Sequence, residues 1–284
     1  MSTAHSTVSA RLLDFAQRLG LRRLVAPEFR QRIAQLALTF PRLPVPEDTI
    51  WWHNALSLES LYELPRGALS GPVQDDKAHA HKALRALIYR QQWEIDALDL
   101  RSISGLVGYE APLSHLTQLE HYNVAQCRHI RIISMTDLSR VLDNLQTDRW
   151  VLNEASWRGG RRFWTHSLHN QAITAAVCYA KLRKLCVERP AVINSFQFNH
   201  DGIQKLSQQF HVLYMPNEAW NNEALMDLLA THQLPYSRLS LDRATRTGDC
   251  LILPKQHAYA DALGQGLLAL GAEDFCDYLR RLPQ

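Results

Sequence analysis

The chain has 284 residues, 46% hydrophobic and 21% charged, which is the balance of a globular protein of one large or two modest domains rather than of a disordered one. A net charge of +3 is too small to imply a nucleic-acid partner by itself. Cys127, Cys178, Cys186, Cys250 and Cys276 form no C-x-x-C pair and no finger spacing with histidine, which argues against a disulfide framework and a structural metal site.

A reducing cytoplasm fits that cysteine usage. Arg11, Asp14 and Arg18 interrupt any signal-peptide core, and no apolar run approaches the length of a membrane span. The sequence therefore predicts a cytoplasmic protein without a transmembrane segment.

In chain order, Val8, Leu12, Phe15 and Leu19 recur at helical spacing, with Gly20 where such a helix ends. A second helix is predicted from Pro27, with Phe29, Ile33, Leu36 and Phe40 on one face. Seven arginines between residues 1 and 42 face only Asp14 and Glu28. Such a face suits an acidic protein partner or an anionic surface, nucleic acid stays open, and a solvated helix exterior is the plainer alternative. Pro41, Pro44 and Pro46 then break regular structure. Residues 1–49 are read as a basic helical hairpin with a proline linker, docked by its apolar side.

Residues 50–127 are read as an N-terminal lobe. Trp51 and Trp52 are its anchors, His79 to Tyr89 has helical periodicity, and Gly105, Gly108 and Pro112 mark turns. From residue 128 to 284 the rhythm becomes α/β. A strand is predicted at Ile130–Ser134, a helix at Thr136–Leu145, and two strands at Trp150–Ser156 and Arg162–His166 joined by a Gly159-Gly160 hairpin. The longest helix follows at Leu168–Cys186. Strands at Ala191–Phe198, Val212–Met215, Arg238–Leu241 and Cys250–Leu253 then alternate with helices at His200–Phe210, Asn222–Thr231, His257–Leu270 and Glu273–Leu282. The fold class expected is a mixed α/β sheet with covering helices behind an N-terminal helical segment.

Phosphate-loop, dinucleotide, metalloprotease and nucleophile-elbow motifs are absent, and no motif names a cofactor. The His79/His81 pair points in different directions on a helix and makes a poor metal site. Asn199-His200-Asp201-Gly202 reads as a helix start, although an Asp–His pair can also serve as a general base. Glu154 and Asp249 lie near strand ends with no second carboxylate at fixed spacing. At His166–His169, two imidazoles and the free N–H groups of a helix start can meet an anion; the alternative is that Ser167 or His169 caps the helix while His166 packs beneath it. Trp150, Trp157, Phe163 and Trp164 surround a basic turn, as either a nucleic-acid face or a packing face.

The succession from Ile132 to Leu185 (strand, helix, strand, Gly-Gly turn, strand, His turn, alanine-rich helix) resembles the ParB-like and sulfiredoxin-like nucleotide-binding domain. Members place glycine and a His-Arg or Arg-Arg pair at the helix start, against nucleotide phosphates. Here the turn reads Ser167-Leu168-His169-Asn170-Gln171-Ala172, with Ser167 in the glycine position and Asn170 in the arginine position. The resemblance implies a nucleotide or phosphate ligand, with His169 as phosphate contact or general acid–base. His166, Ser167, Asn170, Arg158, Arg161 and Arg162 would be the ligand contacts. The departures imply instead a non-catalytic interaction module on a degenerate scaffold. More broadly, Cys127-Arg128-His129-Ile130-Arg131-Ile132-Ile133-Ser134 and the His turn resemble an uncharacterised bacterial family, a domain of unknown function.

Overall fold

The computed structural model describes residues 25–40, 42–43, 45, 48–53, 56–108, 110–241 and 248–283. The helix predicted from Val8 to Gly20 and the three prolines of the linker, Pro41, Pro44 and Pro46, lie outside the described residues. From the N-terminus come α1 (Pro27–Ala34), α2 (Gln74–Arg85), β1 (Ile88–Asp99), β2 (Ile103–Leu106), α3 (Leu119–Gln126) and α4 (Met135–Asp143). Next are β3 (Trp150–Ala155), β4 (Arg162–Trp164), α5 (Asn170–Arg183), β5 (Glu188–Phe198), α6 (His200–Gln209) and β6 (Phe210–Pro216). Last are α7 (Glu223–Thr231), β7 (Ser237–Leu239), β8 (Gly248–Pro254), α8 (Ala258–Ala269), β9 (Glu273–Asp274) and α9 (Phe275–Arg281). The chain is thus mixed α/β, as its alternating pattern predicts.

Two compact units share these elements, and neither is one consecutive stretch. A mixed-sheet unit takes Ile88–Asn199 with residues from 44–62; an antiparallel unit takes residues 25–43, Glu63–Leu87 and His200–Arg281.

The mixed-sheet unit orders its strands β1-β5-β3-β4-β2. The β1/β5 and β3/β4 pairs are antiparallel; β3/β5 and β2/β4 are parallel. One sheet face buries Trp150, Leu152, Trp164 and Ile193 against Tyr122 of α3, Leu138 of α4 and Ile173 of α5. Small residues at Ala175, Ala176 and Ala180 let α5 lie close to its neighbours. Gly159 and Gly160 both adopt left-handed backbone (φ 64° and 70°), a conformation glycine enters without steric cost.

Two predictions of local structure are corrected here. Ile130–Ser134 is not a strand. Ile130 N–H turns back onto the Cys127 carbonyl (2.9 Å), and Ser134 opens α4 through a reciprocal cap with Asp137. The Ser134 backbone N–H donates to the Asp137 carboxylate (3.1 Å), so it is withdrawn from any sheet ladder. The helix predicted over His79–Tyr89 also stops early. It ends at Arg85, and Tyr89 belongs to β1, which pairs with β5 from Ile88↔Phe198 to Asp99↔Glu188. Polar residues on β1 conceal its alternation in the sequence, and pairing with β5 decides the outcome.

The antiparallel unit orders its strands β7-β8-β6-β9, with every pair antiparallel. Every residue of β6 and β8 is buried, so the sheet is covered on both faces. Leu213, Met215, Leu251 and Leu253 meet α1, α7 and α8, while α6 and α9 also pack on β6, with α2 beside α6. In α1, Phe29 and Ile33 are buried, whereas Phe40 lies beyond the helix and packs against the same core. Close approach of α8 depends on two glycines. A Cβ on Gly266 would come within 2.4 Å of Ile33, and one on Gly264 within 2.3 Å of the His211 ring. Among the described residues, no helix is long and apolar enough to cross a membrane.

Candidate anion-binding turn at the start of α5

Strand β4 runs out of the sheet at Trp164, and Thr165 still holds Val151 with its backbone N–H (3.2 Å) and hydroxyl (2.8 Å). His166 follows, then a single 3-10 turn over Ser167–His169, closed by His169 N–H donating to the His166 carbonyl (3.0 Å). Helix α5 begins at once, and no side chain caps it. The first N–H groups of a helix lack intrahelical acceptors and carry the positive end of its dipole. Ser167 is exposed and His169 half-buried.

The other two residues of the turn face inward. Asn170 is buried, its amide donating to the Val107 carbonyl (3.1 Å) while its Oδ1 has no partner. It ties the first turn of α5 to the segment after β2, where Gly108 takes φ 120°. The His166 ring lies 5.2 Å from the Trp164 ring, and its Nε2 is buried without a partner. Trp164 in turn donates its indole N–H to the His166 carbonyl (2.9 Å). His166, Ser167, His169 and Asn170 therefore meet at one turn, two outward and two inward.

Arg158, Arg161 and Arg162 lie at the other end of β4, roughly 13 Å away for four extended residues. Arg158 is only 8% exposed. Its guanidinium donates to the Trp51 carbonyl (2.8 Å) and sits 5.1 Å above the Phe163 ring. Burial, helped by nearby Arg161, pulls its pKa down to about 10, which leaves it charged at neutral pH. Arg161 pairs with Asp48 and donates to the Ser104 carbonyl (2.8 Å). Arg162 lies 3.6 Å from Glu154. These cations hold a turn together. The surrounding aromatics are packing residues too: Trp150, Trp157, Phe163 and Trp164 are all buried.

Two of the remaining candidates have structural partners. His81 bonds the Leu64 carbonyl (2.8 Å). Asp249 is buried and ion-paired with Arg238, whose guanidinium lies 4.4 Å above Trp220. His200 and Asp201 open α6. Sequence reasoning passed over Lys82, Lys205 and Lys255, which line one cavity of the antiparallel unit. They are far apart in the chain and belong to no motif, so only folding brings them together.

Fold and turn together define a mixed α/β protein of two units, with an uncapped helix start as candidate site in the mixed-sheet unit. The chain belongs to a family of unknown function (DUF6685), whose model matches residues 90–284. That accords with the resemblance to an uncharacterised family. No curated protein and no solved structure matches the chain.

Proposed function

We propose that the turn entering α5 binds a small phosphate-containing ligand, a nucleotide by the ParB-like and sulfiredoxin-like resemblance of residues 132–185. The observation that carries this reading is the uncapped amino terminus of a 14-residue helix beside an exposed Ser167 and a half-buried His169. Neither of those side chains has a hydrogen-bond partner among the described residues. Helix N–H groups and the Ser167 hydroxyl donate to phosphate oxygens, and His169 adds a ring N–H. Asn170 and His166 position the turn. The three arginines have no part in this reading, because each is engaged at the far end of β4. Among the described residues no acid or base accompanies His169 within hydrogen-bond reach, so the reading is of binding rather than catalysis.

Calorimetric titration of the full chain with inorganic phosphate and with AMP tests it. A paired Ser167→Ala, His169→Ala variant of unchanged melting temperature should bind at least about tenfold more weakly, the loss of one charge-assisted hydrogen bond. Undiminished binding by that variant would sink the reading. A second reading, an interaction module, is favoured by Leu168, which is 94% exposed at the tip of the same turn. In that case Leu168→Asp abolishes partner capture while phosphate gives no heat.

A further inference from the structure

The antiparallel unit holds a cavity of about 690 Å³ whose wall is built from one face of each of two helices. Helix α2 contributes His79 and Lys82, three residues apart, and α6 contributes Lys205. Such spacing sets side chains on a common helical face. The third ammonium comes from Lys255, just past the end of β8. Its backbone N–H donates to the Gln209 carbonyl (2.8 Å) and its Nζ to the Ser207 carbonyl (2.5 Å).

Three lysines and a histidine line this cavity, and among the described residues no carboxylate does. Among the described residues, Lys82 and Lys205 have neither an ion-pair nor a hydrogen-bond partner. Asp76 acts on His79 and Asp274 on Lys255, which leaves Lys82 and Lys205 as the uncompensated charges among the described residues. A recess walled by one sign of charge repels itself and concentrates counter-ions of the opposite sign. Ordinary surfaces intersperse both signs instead. The recess also has apolar wall at Phe210 and Pro254. Its volume falls within the range that encloses a small organic ligand, larger than a lone phosphate needs.

We infer that this cavity binds a small organic polyanion carrying a di- or triphosphate, with Lys82, Lys205 and Lys255 on the phosphate chain. Lysine suits that chain because a mobile ammonium meets several oxygens without the fixed fork geometry of arginine. The organic body of the ligand then lies along the apolar Phe210–Pro254 wall. All lining residues belong to the antiparallel unit, so the inference stands apart from the α5 turn.

The test is calorimetric titration of the full chain with inorganic pyrophosphate, ADP and adenosine. Pyrophosphate should bind, ADP more tightly, and adenosine not measurably. Lys82→Gln with Lys205→Gln should weaken both ligands at least about tenfold without lowering the melting temperature, since two charge contacts are lost. Lys82→Arg with Lys205→Arg, which keeps the charge, should retain most of the affinity. The Ser167→Ala, His169→Ala variant should bind pyrophosphate as the parent does, which separates the two sites. No heat with pyrophosphate and ADP at millimolar concentration overturns the inference, as does binding that survives when the paired glutamine changes are made in the Ser167→Ala, His169→Ala background. Loss of binding in the α5-turn variant instead would assign the ligand to that turn and likewise overturn it.

Discussion

The Arg158–Arg162 turn of the mixed-sheet unit and the lysine-lined cavity of the antiparallel unit carry the same charge in opposite states. At the turn, every guanidinium has a protein partner: the Trp51 and Ser104 carbonyls and Asp48 for Arg158 and Arg161, and the Glu154 carboxylate as ion pair for Arg162. In the cavity, Lys82 and Lys205 have none among the described residues. Cationic residues close in sequence are visible in a linear reading and look like a binding patch. Whether they are available depends on what the fold sets against them. A buried cation must be paired to be tolerated, so the most buried arginine is the least free.

The largest effect that could break this contrast is at Arg158. Arg158→Met should destabilise the protein by about 2–4 kcal/mol, because the Trp51 and Thr49 carbonyls lose their donor in a buried site. Phosphate and pyrophosphate affinities should stay unchanged. A stable variant that has lost ligand binding would make Arg158 a ligand contact and erase the distinction drawn above. Chemical denaturation paired with calorimetry reads both quantities.

A smaller, pH-dependent effect applies the same accounting to a histidine. His211 on β6 is buried, with Nε2 2.8 Å from the Asp261 carboxylate. Burial, opposed by Asp261 and aided by Lys255, holds its pKa below the ordinary imidazole value; Asp274 also faces it. The unfolded chain therefore takes up the proton first as pH falls, starting near the ordinary imidazole value of about 6.5. Stability present above that pH is lost progressively below it, down to the folded-state pKa. Thermal melts between about pH 7 and about pH 5 should show a fall of a few degrees that flattens in His211→Gln. An unchanged slope would remove His211 as its source.

The smallest effect is expected in the cavity. Lys205→Gln should shift stability by less than about 0.5 kcal/mol, or raise it slightly by relieving repulsion. A clear loss of stability would mean that Lys205 has a structural partner, and the cavity would join the arginine turn as scaffold.

Much of the local structure was legible. Pro27 marks the start of α1, Asn222 caps α7, the paired glycines close the β3–β4 hairpin, and the strand–helix alternation after residue 187 follows the hydrophobic period. At the candidate turn, the sequence indicated a strand end, a histidine-bearing turn and an alanine-rich helix. It could not say that Asn170 reaches Val107, or that the arginines bend away onto Trp51 and Asp48. Those contacts join residues dozens of positions apart, and no local pattern encodes them.

The sequence by itself determined fold class, the positions of most helices and the conformation of the glycine turn. These follow from period, capping and backbone freedom within a few residues. Tertiary structure alone decided that β1 is a strand, that Ile130–Ser134 is not, and that chain segments around residues 25–43, 63–87 and 200–281 build one unit. It also decided which charges are spent and which are left facing a cavity. The physical reason is common to all of these. A strand needs a partner for its backbone groups and a buried cation needs an acceptor, and both are supplied by residues that only folding brings near.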